Sequence, residues 1–354
     1  MAIAKTKVEQ SRIPADQNSE EPTTAVTEKN PVAQPVVLAS SEEMRRIRKH
    51  AQKIASVDGP VLIAGESGTG KSLIAEFIHH KSPRRGEPVV RWGAGSFDEG
   101  TIAATLFGHT AQAFTSARQA VPGLLQSVDK GTLILDDVDA LSASAQKMLL
   151  SVLDSGIIYR LGAPRSGIRT DVRIIATTNK NLDRLVENGH FRDDLLNRLR
   201  RWRLNIPPLR DRPDDVRVLA TLFLRRFQNT LNEVNREKRF SSDALSLLAA
   251  LPWRANCREL QEAVENAALF GLPVAHENGR LDVLDLRGVA KVLFDPHHSP
   301  VGGLYVIPET MRTEERIHRI WSLTGGNVSL TSRILGCSRN TIYGLIRSRQ
   351  WLLS

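Results

Sequence analysis

The sequence predicts an α/β fold: a parallel sheet with helices on both faces, a smaller all-helical unit, and a C-terminal three-helix module. Three observations predict it. Short apolar runs alternate with helical stretches up to about residue 213, the pattern of a parallel sheet covered by helices. Strand signals then stop near Asp214 while helical spacing continues. From Arg316 to the end there are six arginines and no Asp or Glu, so the last segment has a composition of its own.

Residues 1–38 contain no aromatic residue and one Leu, Leu38, with prolines at 14, 22, 31 and 35. That composition buries too little surface to order itself and predicts a disordered tail, too short and polar for a sensory domain. Glu42 to Ala55 sets Met44, Ile47, Ala51 and Ile54 on one helical face. Val61 to Ala64 is an apolar run ending at a Gly, as a buried parallel strand does, and Ser72 to His79 reads as a helix. Further strands are expected at Val89-Val90, Leu133 to Leu135 and Val172 to Ala176. The first domain is thus placed at 39–213. Helices over Val216 to Phe227, Ser242 to Leu251 and Arg258 to Phe270 make the second, at 214–271.

Residues 272–308 carry Pro273, Pro296, Pro300 and Gly302-Gly303 and read as a linker. The last module, 309–354, begins with Glu314 to Leu323, where Ile317, Ile320 and Trp321 are apolar and Gly325-Gly326 follow. Asn327 can cap a second helix to Leu335. Gly336-Cys337-Ser338 turns the chain into a third, Arg339 to Arg347, with Ile342, Leu345 and Ile346 inward. Two short helices across a Gly-containing turn make a helix-turn-helix.

Composition excludes several classes. Hydrophobic residues are 41% and charged residues 25% of 354, enough to bury cores in two or three domains. No apolar run nears the roughly 20 residues of a membrane helix, and the N-terminus lacks a secretory core. Cys257 and Cys337 are too few for a disulfide framework. The net charge of +9 invites an acidic polymer. Six of those charges lie from Arg316 to the end, which favours double-stranded DNA there over a membrane surface.

Gly65-Glu66-Ser67-Gly68-Thr69-Gly70-Lys71-Ser72 fits G-x-x-x-x-G-K-S, directly after a strand and opening a helix. Glycines let backbone N–H groups turn around an anion, and the helix N-terminus adds partial positive charge. Lys71 would reach the β- and γ-phosphates of ATP, and the Ser72 hydroxyl would ligate Mg²⁺. Gly131 to Asp137 is an apolar strand ending in two carboxylates. Asp136 is placed to hold Mg²⁺ through water, and Asp137 to orient or deprotonate the attacking water. The alternative is a pair of solvated turn acids.

Residues about 40–270 resemble the AAA+ module of bacterial enhancer-binding proteins, the activators of sigma-54 RNA polymerase. The resemblance rests on motifs in family order: the GESGTGK loop Gly65 to Lys71; LFGH at Leu106 to His109; ATTN at Ala176 to Asn179; FR-x-DL…RL from Phe191 to Leu199; PPLR-x-R from Pro207 to Arg212; and part of W-P-G-N-x-R-E-L from Trp253 to Leu260. It implies an AAA+ ATPase with a helical lid, working as a ring, typically a hexamer, of like or mixed subunits in the bacterial cytoplasm. Asn179 would sense the γ-phosphate. Arg192 and Arg198 would reach into the neighbour's ATP site, where such arginines neutralise charge developing in phosphoryl transfer. Arg258 would couple nucleotide to lid. The C-terminal segment resembles the Fis-type DNA-binding domain of the same proteins. No receiver or sensor domain is seen before the ATPase, which points to control by expression level or by a separate regulatory protein.

Three departures stand out. The family's sigma-54-contacting loop GAFTGA is Gln112-Ala113-Phe114-Thr115-Ser116-Ala117 here. Phe114 and Thr115 are kept, but both glycines, which permit positive φ, are replaced. The family's Asp-Glu is Asp136-Asp137, and the Asn that restrains that Glu is Gly93. A carboxylate about 1 Å short can cost roughly 10²-fold in rate. In the last helix Arg339, Asn340, Tyr343 and Arg347 would face DNA, where Arg reads guanine and Asn adenine. Arg333 and Arg349 would hold phosphates. Two functions are therefore expected. One is an ATP-driven activator bound upstream of a sigma-54 promoter. The other is a DNA-binding regulator that binds nucleotide with little hydrolysis and acts without sigma-54 or beside an active paralogue.

Overall fold

The structure, a computed structural model, describes residues 37–114, 117–163, 165–231, 237–271, 274–276, 281–294 and 313–349. Most of the expected tail and Thr115 of the sigma-54 loop lie outside the described residues. Val37, expected in the tail, is buried against the first helix.

Helix α1 (Glu42–Ala55) starts at Ser41, whose Oγ caps it by accepting from the Met44 N–H. The apolar runs then fold as strands of one parallel sheet: β1 (Val61–Ala64), β2 (Val89–Gly93), β3 (Thr132–Asp136), β4 (Arg173–Thr178) and β5 (Trp202–Asn205), in the order β2-β3-β4-β1-β5. Side chains alternate between faces. Leu62, Leu133, Leu135 and Ile174 enter one core, beneath α3 (Glu99–Phe107), α4 (Ala143–Ser155) and α6 (Asp193–Leu199). Val61, Ile63, Ile134 and Ile175 enter the other, beneath α1 and α2 (Lys71–Lys81). A short α5 (Leu182–Glu187) follows β4. Because all five strands are parallel, their carboxyl ends share one edge, where α/β sheets place ligands.

The second domain is built on α7 (Pro213–Thr230), α8 (Ser242–Ala250) and α9 (Asn256–Phe270). Trp253 is its largest fully buried side chain, its indole N–H donating to the Leu248 carbonyl at 2.7 Å. Two expectations are corrected. The domain is not all-helical: β6 (Glu237–Phe240), β7 (Val274–His276) and β8 (Leu281–Leu284) form a small sheet in the order β6-β8-β7. The interval 272–308 is not linker throughout, since it holds β8 and α10 (Leu286–Phe294). The reason is apolar spacing. Leu286, Val289, Ala290 and Leu293 fall at i, i+3, i+4 and i+7 and are buried in the lid core with Leu284.

The C-terminal helices α11 (Thr313–Leu323), α12 (Val328–Leu335) and α13 (Arg339–Arg349) enclose a small core of Ile317, Ile342 and Ile346. Asn327 caps α12 through the Leu330 N–H at 2.9 Å, and Gly336 closes it at φ +66°. Helix α12 also faces the lid, with Leu330 buried in the lid core. Among the described residues, no helix is long and apolar enough to cross a membrane.

Candidate nucleotide site

The loop Gly65–Gly70 runs from the carboxyl end of β1 into the N-terminus of α2. Lys71 is largely buried, and its Nζ donates to the carbonyls of Gly65 at 2.8 Å and Glu66 at 2.9 Å. Burial lowers its pKa, against the pull of Asp137, Asp136 and Asp139. Gly68, at φ +77°, is required by contact: a Cβ there would stand 2.2 Å from the Ala255 carbonyl oxygen of the lid.

Strand β3 delivers the acidic pair to the same edge. Asp136 accepts from Thr177 Oγ1 at 2.7 Å, from Ser72 Oγ at 3.2 Å and from Arg91 Nε at 2.5 Å. Ser72 and Asp136 are thus the oxygen pair that a divalent cation needs beside a phosphate loop, and the donor set fits Mg²⁺. Asp137 has left-handed backbone, φ +54°. Burial, with Asp139 and Asp136 adding like charge, raises its pKa. Asp139 accepts from Thr178 Oγ1 at 2.7 Å and pairs with Lys180 at 3.1 Å, so it holds the residues on either side of Asn179. Gly93 lies opposite Asp136 across β2 and β3, and a Cβ there would meet the Asp136 Cβ only at 3.9 Å.

One cleft is lined by Lys71, Ser72, Arg91, Asp136, Asp137, Asn179 and, from the lid, Arg258. The fold thus gathers the expected nucleotide residues from four elements. Arg192 and Arg198 do not line it. Arg192 chelates Asp194 at 2.7 and 3.0 Å, and Arg198 pairs with Asp154 at 2.6 Å. Both are exposed.

In the loop that carries Phe114, one residue takes a backbone shape that glycine adopts freely. Gln112 stands at φ +65°, and its N–H donates to the Ala117 carbonyl at 2.7 Å. Phe114 is 42% exposed and leans on His109, with ring centroids 4.9 Å apart.

In the C-terminal module, Asn340, Tyr343 and Arg347 are exposed on α13. Arg339 donates to Ser329 Oγ at 2.8 Å, and Arg333 is paired with Asp243 of the lid.

Residues 37–205 match the sigma-54 interaction domain, and residues 210–286 match the AAA+ ATPase lid domain. The chain belongs to the sigma-54 interaction domain family. A Nif-specific regulatory protein of Azotobacter vinelandii is 35% identical over 309 residues, covering 87% of this chain and 57% of that protein. The regulatory protein AtoC of Escherichia coli K12 is 35% identical over 310 residues, covering 86% and 66%. The nitric oxide reductase transcription regulator NorR2 of Cupriavidus necator is 34% identical over 337 residues, covering 88% and 62%. This sigma-54 interaction domain protein therefore spans about half to two thirds of the length of such relatives. NtrX of Brucella abortus, solved with ADP and with ATP, superposes with TM-score 0.67 at 24% identity over 88% of this chain and 69% of that one, which bears on fold alone.

Sequence reasoning passed over Asn256, Arg210 and Arg212, although each stood inside a matched motif. It also passed over Arg91 and Asp139. Only the fold reveals Arg91, because its partner Asp136 lies 45 residues on.

Proposed function

We propose that this chain is an activator of sigma-54 RNA polymerase that binds upstream DNA through α13 and couples ATP binding and hydrolysis in a ring to work on the polymerase. One observation carries the reading: Lys71, Ser72, Asp136, Asp137 and Asn179 converge on one cleft, in a chain whose match over 37–205 is the sigma-54 interaction domain. A regulator acting without sigma-54, the other reading open from the sequence, is not favoured by that match.

The roles follow from chemistry. The loop N–H groups and Lys71 bind the phosphates. Ser72 and Asp136 would hold Mg²⁺, which when bound offsets phosphate charge. Asp137 is the candidate base for the attacking water, and Asn179 faces the same cleft. Arg192 and Arg198, exposed outside their own cleft and held by Asp194 and Asp154, are the candidates to reach a neighbour's site. Phe114, half-exposed beside His109, is the apolar contact offered to sigma-54. On α13, Arg339, Asn340, Tyr343 and Arg347 are the DNA-facing set.

Mixing tests this assembly. Lys71→Ala chains and Arg192→Ala/Arg198→Ala chains should each be inactive as ATPases. Mixed, they should regain activity, because some junctions then combine an intact cradle with intact arginines. Mixtures as inactive as the parents, beside an active wild type, would refute a shared site.

A further inference from the structure

We propose that Asn256 is a positioning residue that fastens the outer rim of the phosphate loop to the lid, so that the loop holds its phosphate-binding shape only while the lid is seated. The proposal rests on the reading of Gly65–Ser72 as the nucleotide cradle.

Five consecutive loop carbonyls, Gly65 to Thr69, are engaged by hydrogen bonds from beyond the loop. Lys71 takes those of Gly65 and Glu66. The lid side takes the other three. Asn256 Nδ2 donates to the Ser67 carbonyl at 2.9 Å, the Cys257 N–H to that of Gly68 at 2.9 Å, and Arg212 to that of Thr69 at 2.8 Å. In a trans peptide the C=O and N–H point opposite ways, so the outward carbonyls of Ser67 and Thr69 turn the Gly68 and Gly70 N–H groups toward the cleft, while the Thr69 N–H donates to the Glu66 carbonyl at 3.4 Å. The lid therefore sets the direction of the groups that meet phosphate.

Asn256 is the centre of this contact. It is fully buried, stands at φ +57°, and opens α9. Its Oδ1 accepts from the Leu209 N–H at 2.7 Å, and its Nδ2 also donates to Glu66 Oε2 at 3.2 Å. Arg210 clamps the same Glu66 carboxylate with two bonds of 2.7 and 2.8 Å. One amide thus ties the interdomain connection at Leu209 to the loop. Arg258 follows on the same helix and lines the cleft, so a shift of α9 would move loop and arginine together. Triphosphate binding and lid seating are then linked, each favouring the other by the same factor.

Two substitutions separate positioning from mere packing. Asn256→Gly removes the amide without backbone strain, since glycine accepts positive φ. Asn256→Asp tolerates the same backbone and keeps the acceptor for Leu209, but sets an oxygen against the Ser67 carbonyl and Glu66. Both variants should bind a fluorescent ATP analogue about 30-fold more weakly, the factor for the two Nδ2 hydrogen bonds of ordinary net strength that each of them loses. In hydrogen exchange without nucleotide, the amides of Thr69 and Cys257, which donate to the Glu66 and Gly68 carbonyls of the loop, should exchange faster in both. Glu66→Ala, at the exposed end of the contact, should weaken binding in the same direction by a smaller factor. Wild-type affinity and loop protection in Asn256→Asp would overturn the proposal, because a packing role alone is rescued by the retained Leu209 bond. A wild-type chain that binds no nucleotide would refute the proposed function instead, and loop protection would still decide for or against Asn256.

Discussion

Acid should weaken this fold through one buried residue near the C-terminal end of α2. His79 lies on the inner face of α2, 2% exposed, with Nδ1 3.0 Å from Thr132 Oγ1. Burial, with His80 and Arg173 adding like charge, lowers its pKa from 6.5 to about 4. The unfolded chain thus takes up the proton first as pH falls. The stability due to a neutral His79 is complete above pH 6.5, declines below it, and is fully lost once pH passes through the folded value near 4. The gap corresponds to about 3 kcal/mol in all, and to about 2 kcal/mol at pH 5. Urea unfolding of wild type and His79→Gln at pH 7.5 and pH 5 reads this directly. Wild type should lose about 2 kcal/mol more than the variant between the two pH values. Equal losses in both proteins would refute the assignment of a neutral, buried imidazole.

Other consequences are local. Asp137→Glu lengthens the candidate base toward the water; steady-state hydrolysis should rise by up to about 100-fold with ATP affinity unchanged, and a rate no higher than wild type would contradict the role given to Asp137. Gln112→Gly should relieve left-handed strain and raise stability by up to about 1 kcal/mol in a denaturant titration; a loss of that size would mean the Gln112 side chain has a role of its own. Asp243→Asn should free Arg333 for a phosphate, strengthening DNA binding and steepening its salt dependence by about one unit of slope; an unchanged slope would leave Arg333 with the lid.

Much of the site was legible because its chemistry is local in sequence. The phosphate loop, the acidic strand end and Asn179 are each a strand run with its following turn, and parallel strands bring such turns to one edge. Strand β5 was missed because its core contribution rests on Trp202 and Leu204 amid arginines. The helix α10 was hidden by flanking prolines and glycines, although its apolar spacing is regular. What the sequence withheld is pairing at a distance. Asn256 meets Ser67 across 189 residues, and Arg333 meets Asp243 across 90. Neither pairing leaves a mark in either segment alone. Gln112 shows the converse: a positive φ of +65° stands at a residue that does not adopt it freely, which its sequence does not announce.

Transcription from a sigma-54 promoter with reconstituted sigma-54 polymerase puts the whole account at risk in one assay. Wild type with Mg-ATP should convert closed promoter complexes to initiating ones, while Lys71→Ala, or wild type with a non-hydrolysable analogue, should leave them closed. Equal transcript from wild type and Lys71→Ala would contradict it.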